Sequence, residues 1–194
     1  MSNILTAQVS IRGVRPFLWH AFTPAAIPLE KQEKTGVAGN DPEEWRQTVL
    51  TTKERQLYLE PTYIFGSLRD GAKHVKKGRG SIQSLVVATL QITDDRILLD
   101  LFLPTDDQLT TDPEQPIYLD IRSVRNPNTK GRNVRYRIAA ARGWTLTTAI
   151  QWDKTIVSRG EMESTCIDAG RLVGLGDGRA IGFGRFEVTR FEIS

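Results

Sequence analysis

A glycine-rich segment near the C-terminus is the part of the sequence whose residue types most directly suggest chemistry. Six glycines fall within residues 170–184, Arg179 lies among them, and Arg185 follows them. Glycine permits positive φ angles and close approach of backbone amides, so the segment could hold phosphates between its amides and the two guanidinium groups. The alternative is a helix C-cap followed by a tight turn, although a cap needs only one glycine. We therefore predict phosphate contact by Gly174, Gly176, Gly178, Gly182, Gly184, Arg179 and Arg185.

Basic residues are concentrated in two segments, although the formal net charge of the chain is only +3. Residues 66–80 and 120–142 together hold twelve Lys and Arg against two Asp, which leaves +10 there and −7 elsewhere. Such separation suits a track along a nucleic-acid backbone, and a solvated charged face is the alternative. Arginine predominates in the second segment and suits phosphate contact and base stacking. The basic residues are Arg69, Lys73, Lys76, Lys77 and Arg79, then Arg122, Arg125, Lys130, Arg132, Arg135, Arg137 and Arg142.

Conventional catalytic sets are poorly represented in the sequence. His20 and His74 lie far apart, and neither has the spacing of a metal motif such as HExxH. Each is a candidate for general acid–base chemistry. The alternative for His20 is an ordinary core or surface position, and the alternative for His74 is contact with a phosphate. Asp41 could assist a metal-dependent cleavage, but an Asx turn before Pro42 explains this residue equally well. The sequence therefore predicts neither a metal site nor a cofactor.

The single cysteine and most of the four tryptophans are expected in the core. Cys166 lies on the apolar side of a predicted helix, which is typical of a buried small hydrophobic residue. One cysteine excludes a disulfide within the chain and fits a reducing cytoplasm, and together with two histidines it excludes a zinc finger. One exposed tryptophan ring could stack on a base. The tryptophans are Trp19, Trp45, Trp144 and Trp152.

Length and composition favour a soluble globular protein of one domain. The chain has 194 residues, of which 39% are hydrophobic and 25% are charged. Residues 1–13 alternate between polar and apolar and lack the basic start and apolar run of a signal peptide. The longest apolar stretch, residues 97–103, is interrupted by Asp100 and is too short to cross a bilayer. We therefore predict a cytoplasmic location.

Hydrophobic spacing and turn residues predict two main helices among several strands. The first helix is expected to take Ser67 as its N-cap and to end at residue 78 or 80. The second is expected to begin at residue 158 or 159 and to end near residue 174. A short helix is expected near residues 43–46, and an extended segment over residues 58–65. The predicted strands are residues 4–11, 84–91, 96–103, 117–124, 133–139, 144–152 and 181–193.

The order strand, helix, strand occurs twice, which is the βαββαβ pattern of a ferredoxin-like (RRM-like) α+β fold. All 194 residues are expected to form one domain, with its core at residues 1–15, 58–103 and 143–194. Residues 16–57 would be a loop-rich insertion before the first helix, and residues 104–142 would carry an inserted β-hairpin. RNA-recognition domains and many unrelated proteins share this fold, so the fold alone assigns no function.

Two stretches resemble one family. Residues 63–73 (Tyr-Ile-Phe-Gly-Ser-Leu-Arg-Asp-Gly-Ala-Lys) resemble the opening of the first helix in the RAMP superfamily of CRISPR-associated proteins. Residues 174–186 (Gly-Leu-Gly-Asp-Gly-Arg-Ala-Ile-Gly-Phe-Gly-Arg-Phe) are similar to the C-terminal glycine-rich loop of that superfamily. The single-domain organisation with a basic hairpin is most similar to the backbone-forming, guide-RNA-binding subunit, the Cas seven-type.

This resemblance implies a ligand, partners and roles for particular residues. Ser67, Arg69 and Lys73 would meet the RNA backbone, residues 174–184 would pack against it, and the hairpin over residues 122–137 would be a thumb that inserts between bases. The implied partners are guide RNA, a target strand, copies of the same chain and other effector subunits. Asp41 is, by its position before the first helix, the candidate for the aspartate with which some members cleave their target.

Three functions follow from the sequence. The preferred one is a non-catalytic RNA-binding subunit that repeats along a guide RNA in antiviral defence. The second is an endoribonuclease of the same superfamily that processes precursor RNA, with His20 or His74 as general acid or base. The third is a scaffold protein that has this fold but does not bind RNA.

Overall fold

The computed structural model describes residues 2–21, 23, 41–125 and 131–194. The helices are α1 (Glu44–Thr48), α2 (Pro61–Gly71), α3 (Gln83–Thr89) and α4 (Arg159–Asp168), followed by a π-helical turn (Ala169–Val173) and a 3-10 turn (Arg179–Ile181). The strands are β1 (Ile4–Gly13), β2 (Phe17–Leu18), β3 (Gln56–Leu59), β4 (Lys76–Lys77), β5 (Gly80–Ser81), β6 (Gln91–Ile92), β7 (Ile97–Phe102), β8 (Ile117–Arg125), β9 (Arg132–Ala140), β10 (Thr145–Asp153) and β11 (Phe186–Ile193).

The central sheet has four antiparallel strands in the order β11-β1-β10-β6. Strand β1 lies inside this sheet, and its alternating residues Ala7, Val9 and Ile11 are buried, as period-two patterning predicts. They belong to the same core cluster as apolar residues of α2 and α4, such as Leu68 and Met162. One face of the sheet is therefore covered by the helices that carry the candidate site.

Two smaller antiparallel sheets flank this core. Strands β8 and β9 form a hairpin that pairs over nine residues, and β2 extends it to the order β2-β9-β8. Strands β3 and β7 form a separate ribbon. Because all of these pairings are antiparallel and alternate with helices, the predicted α+β class is confirmed.

The beginning of α2 differs from the prediction. The helix starts at Pro61, where the fixed φ of proline suits a first helical position and its missing N–H costs nothing. Ser67 is therefore not an N-cap but a buried residue in the middle of the helix. The helix also ends earlier than predicted, at Gly71, and residues 76–81 form the small hairpin β4–β5.

The predicted strand over residues 84–91 is wrong, because residues 83–89 form α3. Only Gln91 and Ile92 of this region pair with β10. A short apolar run such as Leu-Val-Val-Ala cannot be assigned to helix or strand by periodicity alone. By contrast, the second long helix begins as predicted, because Ser158 and Glu161 form a reciprocal capping box. In the described part of the chain, no helix is long and apolar enough to cross a membrane.

Candidate nucleic-acid interface

The glycine-rich loop, residues 174–184, has a conformation that only glycine accommodates well. Its five glycines all have positive φ angles, between 67° and 95°. At Gly184 a Cβ atom would lie 1.8 Å from the carbonyl oxygen of Leu175, and at Gly176 it would lie 2.5 Å from that of Leu18. These glycines therefore let the loop fold tightly onto β2 and onto itself. The five are Gly174, Gly176, Gly178, Gly182 and Gly184.

Most backbone amides of this loop already donate hydrogen bonds inside the protein. Leu175 donates to Gly184, Asp177 donates to Leu18, and Gly184 donates to the carbonyl of Pro16 at 2.7 Å. The amides of Gly174, Gly178, Ile181, Gly182 and Phe183 are engaged in the same way. The idea of a run of loop amides cradling a phosphate is therefore not supported. Contact with an anion falls instead to the side chains around the loop.

Helix α2 and the loop are joined by a buried hydrogen bond. The Ser67 hydroxyl, 1% exposed, donates to the carbonyl of Gly174 at 2.9 Å. Gly71 lets the π-helical turn approach closely, since a Cβ there would lie 2.7 Å from the backbone nitrogen of Ala169. Ser67 thus fixes the loop to the helix rather than presenting its hydroxyl to a ligand.

A cavity of about 570 Å³ lies between the end of α2 and this loop. We call it the basic cavity; its charged or titratable lining side chains are Lys73, His74, Arg179, Arg185, Asp70 and Asp177. Six of the predicted RNA-contacting or catalytic residues therefore meet here, although four of them are more than 100 positions away from Lys73 and His74; the four are Gly176, Gly178, Arg179 and Arg185. This clustering is what a site for an anion requires.

Arg185 is the side chain whose state most strongly suggests an anion. Its Nη1 atom is buried and has no hydrogen-bond partner among the described residues. Burial lowers the pKa of Arg185, and the neighbouring charge of Arg179 lowers it further. A buried guanidinium nitrogen without an acceptor is costly. A rotation of the side chain that brings Nη1 to a phosphate oxygen in the cavity would remove that cost.

Asp70 offsets part of the positive charge of the basic cavity. Its carboxylate forms ion pairs with Lys73 at 3.0 Å, with Arg69 at 3.2 Å and with Arg179 at 3.6 Å. Burial raises the pKa of Asp70, but the hydrogen bonds from Arg69 and Lys73 outweigh this effect and the net shift is downward. Asp70 is therefore an internal counter-ion for three cations at neutral pH.

A second cavity, of about 360 Å³, adjoins the first through Gly176, Asp177 and Arg179. We call it the histidine cavity, because His20 lines it together with Tyr63. Burial lowers the pKa of His20 more than the charges of Asp177 and Glu44 raise it. The imidazole is therefore neutral at pH 7. The two cavities form one groove along α2.

The remaining basic residues of the first segment lie outside the groove. Lys76, Lys77 and Arg79 are exposed on the β4–β5 hairpin, whose two-residue turn is Gly78-Arg79, and not on the helix where the sequence put them. Lys77 forms an ion pair with Glu161 at 3.0 Å. Within the described ranges, Lys76 and Arg79 have no ion pair.

The arginines of the β8–β9 hairpin divide into three groups. Arg137 is 3% exposed and is paired with both Asp120 and Asp177, so its guanidinium is not available to an external ligand. Arg122 is held by Asp120 and Arg135 by Glu44. Arg125 and Arg132 lie opposite each other on the two strands, near the tip of the hairpin. Both are exposed, and neither has an ion pair among the residues that the structure describes. Lys130 lies outside the described residues.

Phe183, in the glycine-rich loop, is a residue that the sequence analysis did not single out. The guanidinium carbon of Arg122 lies 4.7 Å from the centre of its ring. The only sequence signal was the presence of an aromatic residue within a glycine-rich segment, which by itself predicts no contact. By contrast, all four tryptophans are buried, so the expectation that one exposed ring could stack on a base is wrong.

The other catalytic candidates have structural explanations. The Asp41 carboxylate accepts the backbone N–H of Glu43 at 2.9 Å, which is the Asx turn that the sequence offered as the alternative. Cys166 is buried as predicted, and burial raises the pKa of its thiol to about 12. Within the described ranges, no three His, Cys, Asp or Glu side chains come together in a way that could hold a metal ion.

Comparison with known proteins gives a similarity of fold but no family. No family model matches the sequence, and no curated protein matches it. A chain in the cryo-EM structure of the Type III-B Cmr-beta bound to cognate target RNA is similar, with a TM-score of 0.51 and 13% identity. The match covers 98% of this chain and 60% of that one, so this chain spans less than two thirds of its structural neighbour. At this identity the likeness is one of fold.

Proposed function

We propose that this chain is a RAMP-like, RNA-binding subunit that binds the backbone of a guide RNA in a CRISPR-type antiviral ribonucleoprotein. The RNA would lie along the groove formed by the basic and histidine cavities, beside α2 and the glycine-rich loop. In this proposal the chain acts in the cytoplasm, packs against further copies of itself along the RNA, and contacts other effector subunits and a target strand.

One observation carries the proposal: in the basic cavity, a buried guanidinium nitrogen has no acceptor among the described residues. Arg179 and Arg185 are close enough for the charge of one to lower the pKa of the other, and a buried nitrogen of Arg185 has no partner among the described residues. Lys73 and His74 line the same space. A phosphate diester supplies the negative charge and the several acceptor oxygens that such a set of donors requires.

The exposed cations outside the groove favour a polymer over a small anion. Lys76 and Arg79 project from the β4–β5 hairpin, and Arg125 and Arg132 lie near the tip of the β8–β9 hairpin. A single phosphate compound in the basic cavity would leave these side chains unused, whereas a strand with one phosphate per nucleotide could reach several of them.

The strand order supports a finer description of the fold. The order β11-β1-β10-β6 corresponds to the fourth, first, third and second strands of a βαββαβ unit. We therefore propose a ferredoxin-like core built from about residues 1–15, 58–103 and 143–194. The segments 16–57 and 104–142 are insertions in one domain, and the second insertion carries the β8–β9 hairpin as a thumb. The chain with the similar fold comes from an assembly bound to target RNA, which supports the proposal that this chain binds RNA.

The proposal is tested by measuring RNA affinity as a function of salt. Fluorescence anisotropy with a labelled single-stranded RNA of mixed sequence would compare the wild type with K73Q/R179Q, whose altered side chains are 53% and 37% exposed. The variant should bind more weakly, and the slope of log K against log salt should fall by about 0.7 for each phosphate that the variant no longer neutralises.

A matched control removes two positive charges elsewhere. The variant R96Q/R190Q changes arginines that are exposed and line neither cavity, and it should retain the wild-type affinity and salt slope. Absence of RNA binding by the wild type, or an equal loss in both variants, contradicts the proposal. A low ratio of absorbance at 260 to 280 nm for the protein purified from cells would favour the scaffold alternative.

The endoribonuclease alternative is supported by one specific observation. His20 is neutral at pH 7 and lines a cavity that it shares with Arg179, so it could accept a proton from a ribose hydroxyl beside a bound phosphate. Metal-independent cleavage of a hairpin RNA that is lost in H20A would establish this function. Intact RNA after prolonged incubation with the wild type would exclude it under those conditions.

A further inference from the structure

We propose that Arg122, stacked on Phe183, is a platform on which an unpaired nucleobase of the bound RNA stacks. This inference rests on the proposed function, because it concerns the base of a nucleotide whose phosphate lies in or next to the basic cavity. It adds a contact with a base to a site that otherwise contacts only the backbone.

The guanidinium plane of Arg122 is fixed on two sides. Its Cζ atom lies 4.7 Å from the centre of the Phe183 ring. Its Nη2 and Nε atoms donate to Asp120 at 2.7 Å and 3.1 Å, and Asp120 is buried and also paired with Arg137. Because the side chain is already ordered, a base that stacks on it would lose little additional conformational entropy.

The part of Arg122 that remains accessible suits stacking better than phosphate contact. The edge formed by Nε and Nη2, which an arginine uses for bidentate phosphate binding, is occupied by the Asp120 carboxylate. The Asp120 charge also offsets that of the guanidinium. Yet 42% of the side chain is exposed, and since the guanidinium lies over the Phe183 ring, we place the base on the side away from that ring. Guanidinium planes are weakly hydrated and stack on bases.

The platform and the basic cavity are carried by the same loop. Phe183 donates its backbone N–H to Gly178 at 3.2 Å, and a Cβ at Gly178 would lie 3.0 Å from the Phe183 ring. Gly178 also lines the basic cavity. Because a single residue touches both sites, one strand can place a phosphate in the cavity and a nearby base on Arg122.

No tryptophan competes for this role. The four tryptophans are buried, with side chains in the core or at its edge. A base therefore cannot stack on an indole ring at this surface, and Arg122 over Phe183 supplies an exposed planar group beside the groove.

The experiment separates base contact from phosphate contact. Binding is measured for an oligoadenylate of about twelve nucleotides, long enough to fill a single-strand site, and for a ribose-phosphate oligomer of the same length without bases. The wild type should prefer the oligoadenylate by at least about fivefold, the lower end of the stacking contribution of one base. The variant R122K keeps the positive charge and removes the plane, so it should lose most of this preference and bind the abasic oligomer as the wild type does.

Two further variants keep the result interpretable. R96K changes an exposed arginine that also lies over an aromatic ring, 5.2 Å from the centre of Tyr58, and that lines neither cavity, so it should behave as the wild type. F183L keeps an apolar side chain against Leu18 and Tyr118 and removes the ring beneath Arg122, so it should reduce the preference. It replaces R122K in the comparison if thermal unfolding shows that R122K does not fold.

Each outcome decides between the two proposals. If the wild type binds neither oligomer, the proposed function fails and the platform fails with it. If the wild type binds both oligomers equally, RNA binding stands and the platform is wrong. An equal loss of affinity for both oligomers in R122K also overturns the platform, because it would show that the lysine fails to replace a backbone contact.

Discussion

Asp70 shows how one carboxylate controls the charge that a ligand meets in the groove. Asp70 lies in α2 and forms ion pairs with Arg69 on the same helix, with Lys73 just beyond the end of the helix, and with Arg179 on the glycine-rich loop. An incoming phosphate would take over donors that this aspartate now holds. Asp70 therefore lowers affinity for any anion while it keeps the three cations oriented towards one point.

Replacing Asp70 with Asn should tighten RNA binding. The expected gain is about two- to fivefold at low salt, because partly exposed ion pairs contribute less than about 1 kcal/mol each. The gain should shrink at higher salt, where screening weakens all of these charges. The control is D95N, which makes the same charge change in the β6–β7 turn. Equal gains in both variants would mean that net charge, rather than this position, determines the effect.

The glycine-rich loop is the element whose shape depends most on particular residues. Gly182 and Gly184 both have positive φ angles, but only Gly184 is crowded. At Gly182 no atom lies within 4 Å of the position of a Cβ, so a side chain there meets only backbone strain. Substitutions at these two positions therefore distinguish the cost of backbone strain, at Gly182, from the added cost of a steric clash, at Gly184.

G184A should destabilise the protein much more than G182A. The G182A variant should lose about 1–2 kcal/mol of the free energy of unfolding, the cost of a left-handed conformation for an L-residue. The G184A variant adds a clash with a carbonyl oxygen that cannot move without the loop, and its loss should exceed about 3 kcal/mol. Urea unfolding monitored by tryptophan fluorescence measures both. Similar losses would mean that the loop relaxes around the added methyl group of G184A.

The β8–β9 hairpin depends on a buried ion network rather than on apolar packing alone. Arg137 connects Asp120 on the neighbouring strand to Asp177 in the glycine-rich loop. It therefore holds the base of the hairpin against the loop. Its sequence position within an arginine-rich segment gave no indication that it would be buried.

Replacing Arg137 with Met should cost about 3–5 kcal/mol, because it leaves buried or half-buried carboxylates without their partner. R132M, on the same strand but exposed near the tip, should change the free energy of unfolding by less than about 0.5 kcal/mol. Chemical denaturation of both variants provides the comparison. A small loss in R137M would show that Arg122 alone can satisfy Asp120.

The elements that the sequence predicted well are those with long and regular patterns. β1, β8, β9, β10 and the capped start of α4 lie within two residues of their predicted limits. The prediction of a strand where α3 lies was wrong, because a short run with β-branched residues does not distinguish helix from strand. The packing of α3 in the core beside α2 depends on tertiary contacts that the local sequence does not show. The start of α2 was missed because residues 58–65 were predicted to be extended, whereas Pro61 is the first residue of the helix.

At the scale of the whole molecule, positive and negative charges are more separated along the sequence than they are in the folded structure. Six of the eleven described basic residues in the two segments have an ion-pair partner. Several partners come from distant acidic residues, namely Glu44, Glu161 and Asp177. The sequence located the cations but could not reveal these pairings, because they depend on tertiary structure. The family resemblance implied that the first helix and the glycine-rich loop face the same RNA, and in the structure the Ser67 hydroxyl joins α2 to this loop.

The stability of the whole molecule should fall as the pH drops from about 7.5 to about 5, partly because of His20. Its folded-state pKa lies below the unfolded value of about 6.5. The unfolded chain therefore takes up this proton first, so the contribution of His20 is complete above about pH 6.5 and is lost as the pH falls through the lower folded value. The carboxylates with lowered pKa values, such as Asp70 and Asp177, act at still lower pH.

H20Q should lose less stability over this pH range than the wild type does, because glutamine does not titrate. Urea midpoints at both ends of the range for both proteins measure the difference. Parallel losses in the two proteins would show that other groups determine this pH dependence.

The π-helical turn at Ala169–Val173 sets the direction in which the glycine-rich loop leaves the end of α4. Such a turn contains one residue more than an α-helical turn of the same span. Removing one residue would restore regular pitch but rotate Gly174 by about 100° around the helix axis. Its carbonyl would then point away from the Ser67 hydroxyl. A single surplus residue thus acts as a spacer that aims the glycine-rich loop at α2, so insertions and deletions should be tolerated less here than in the exposed hairpins.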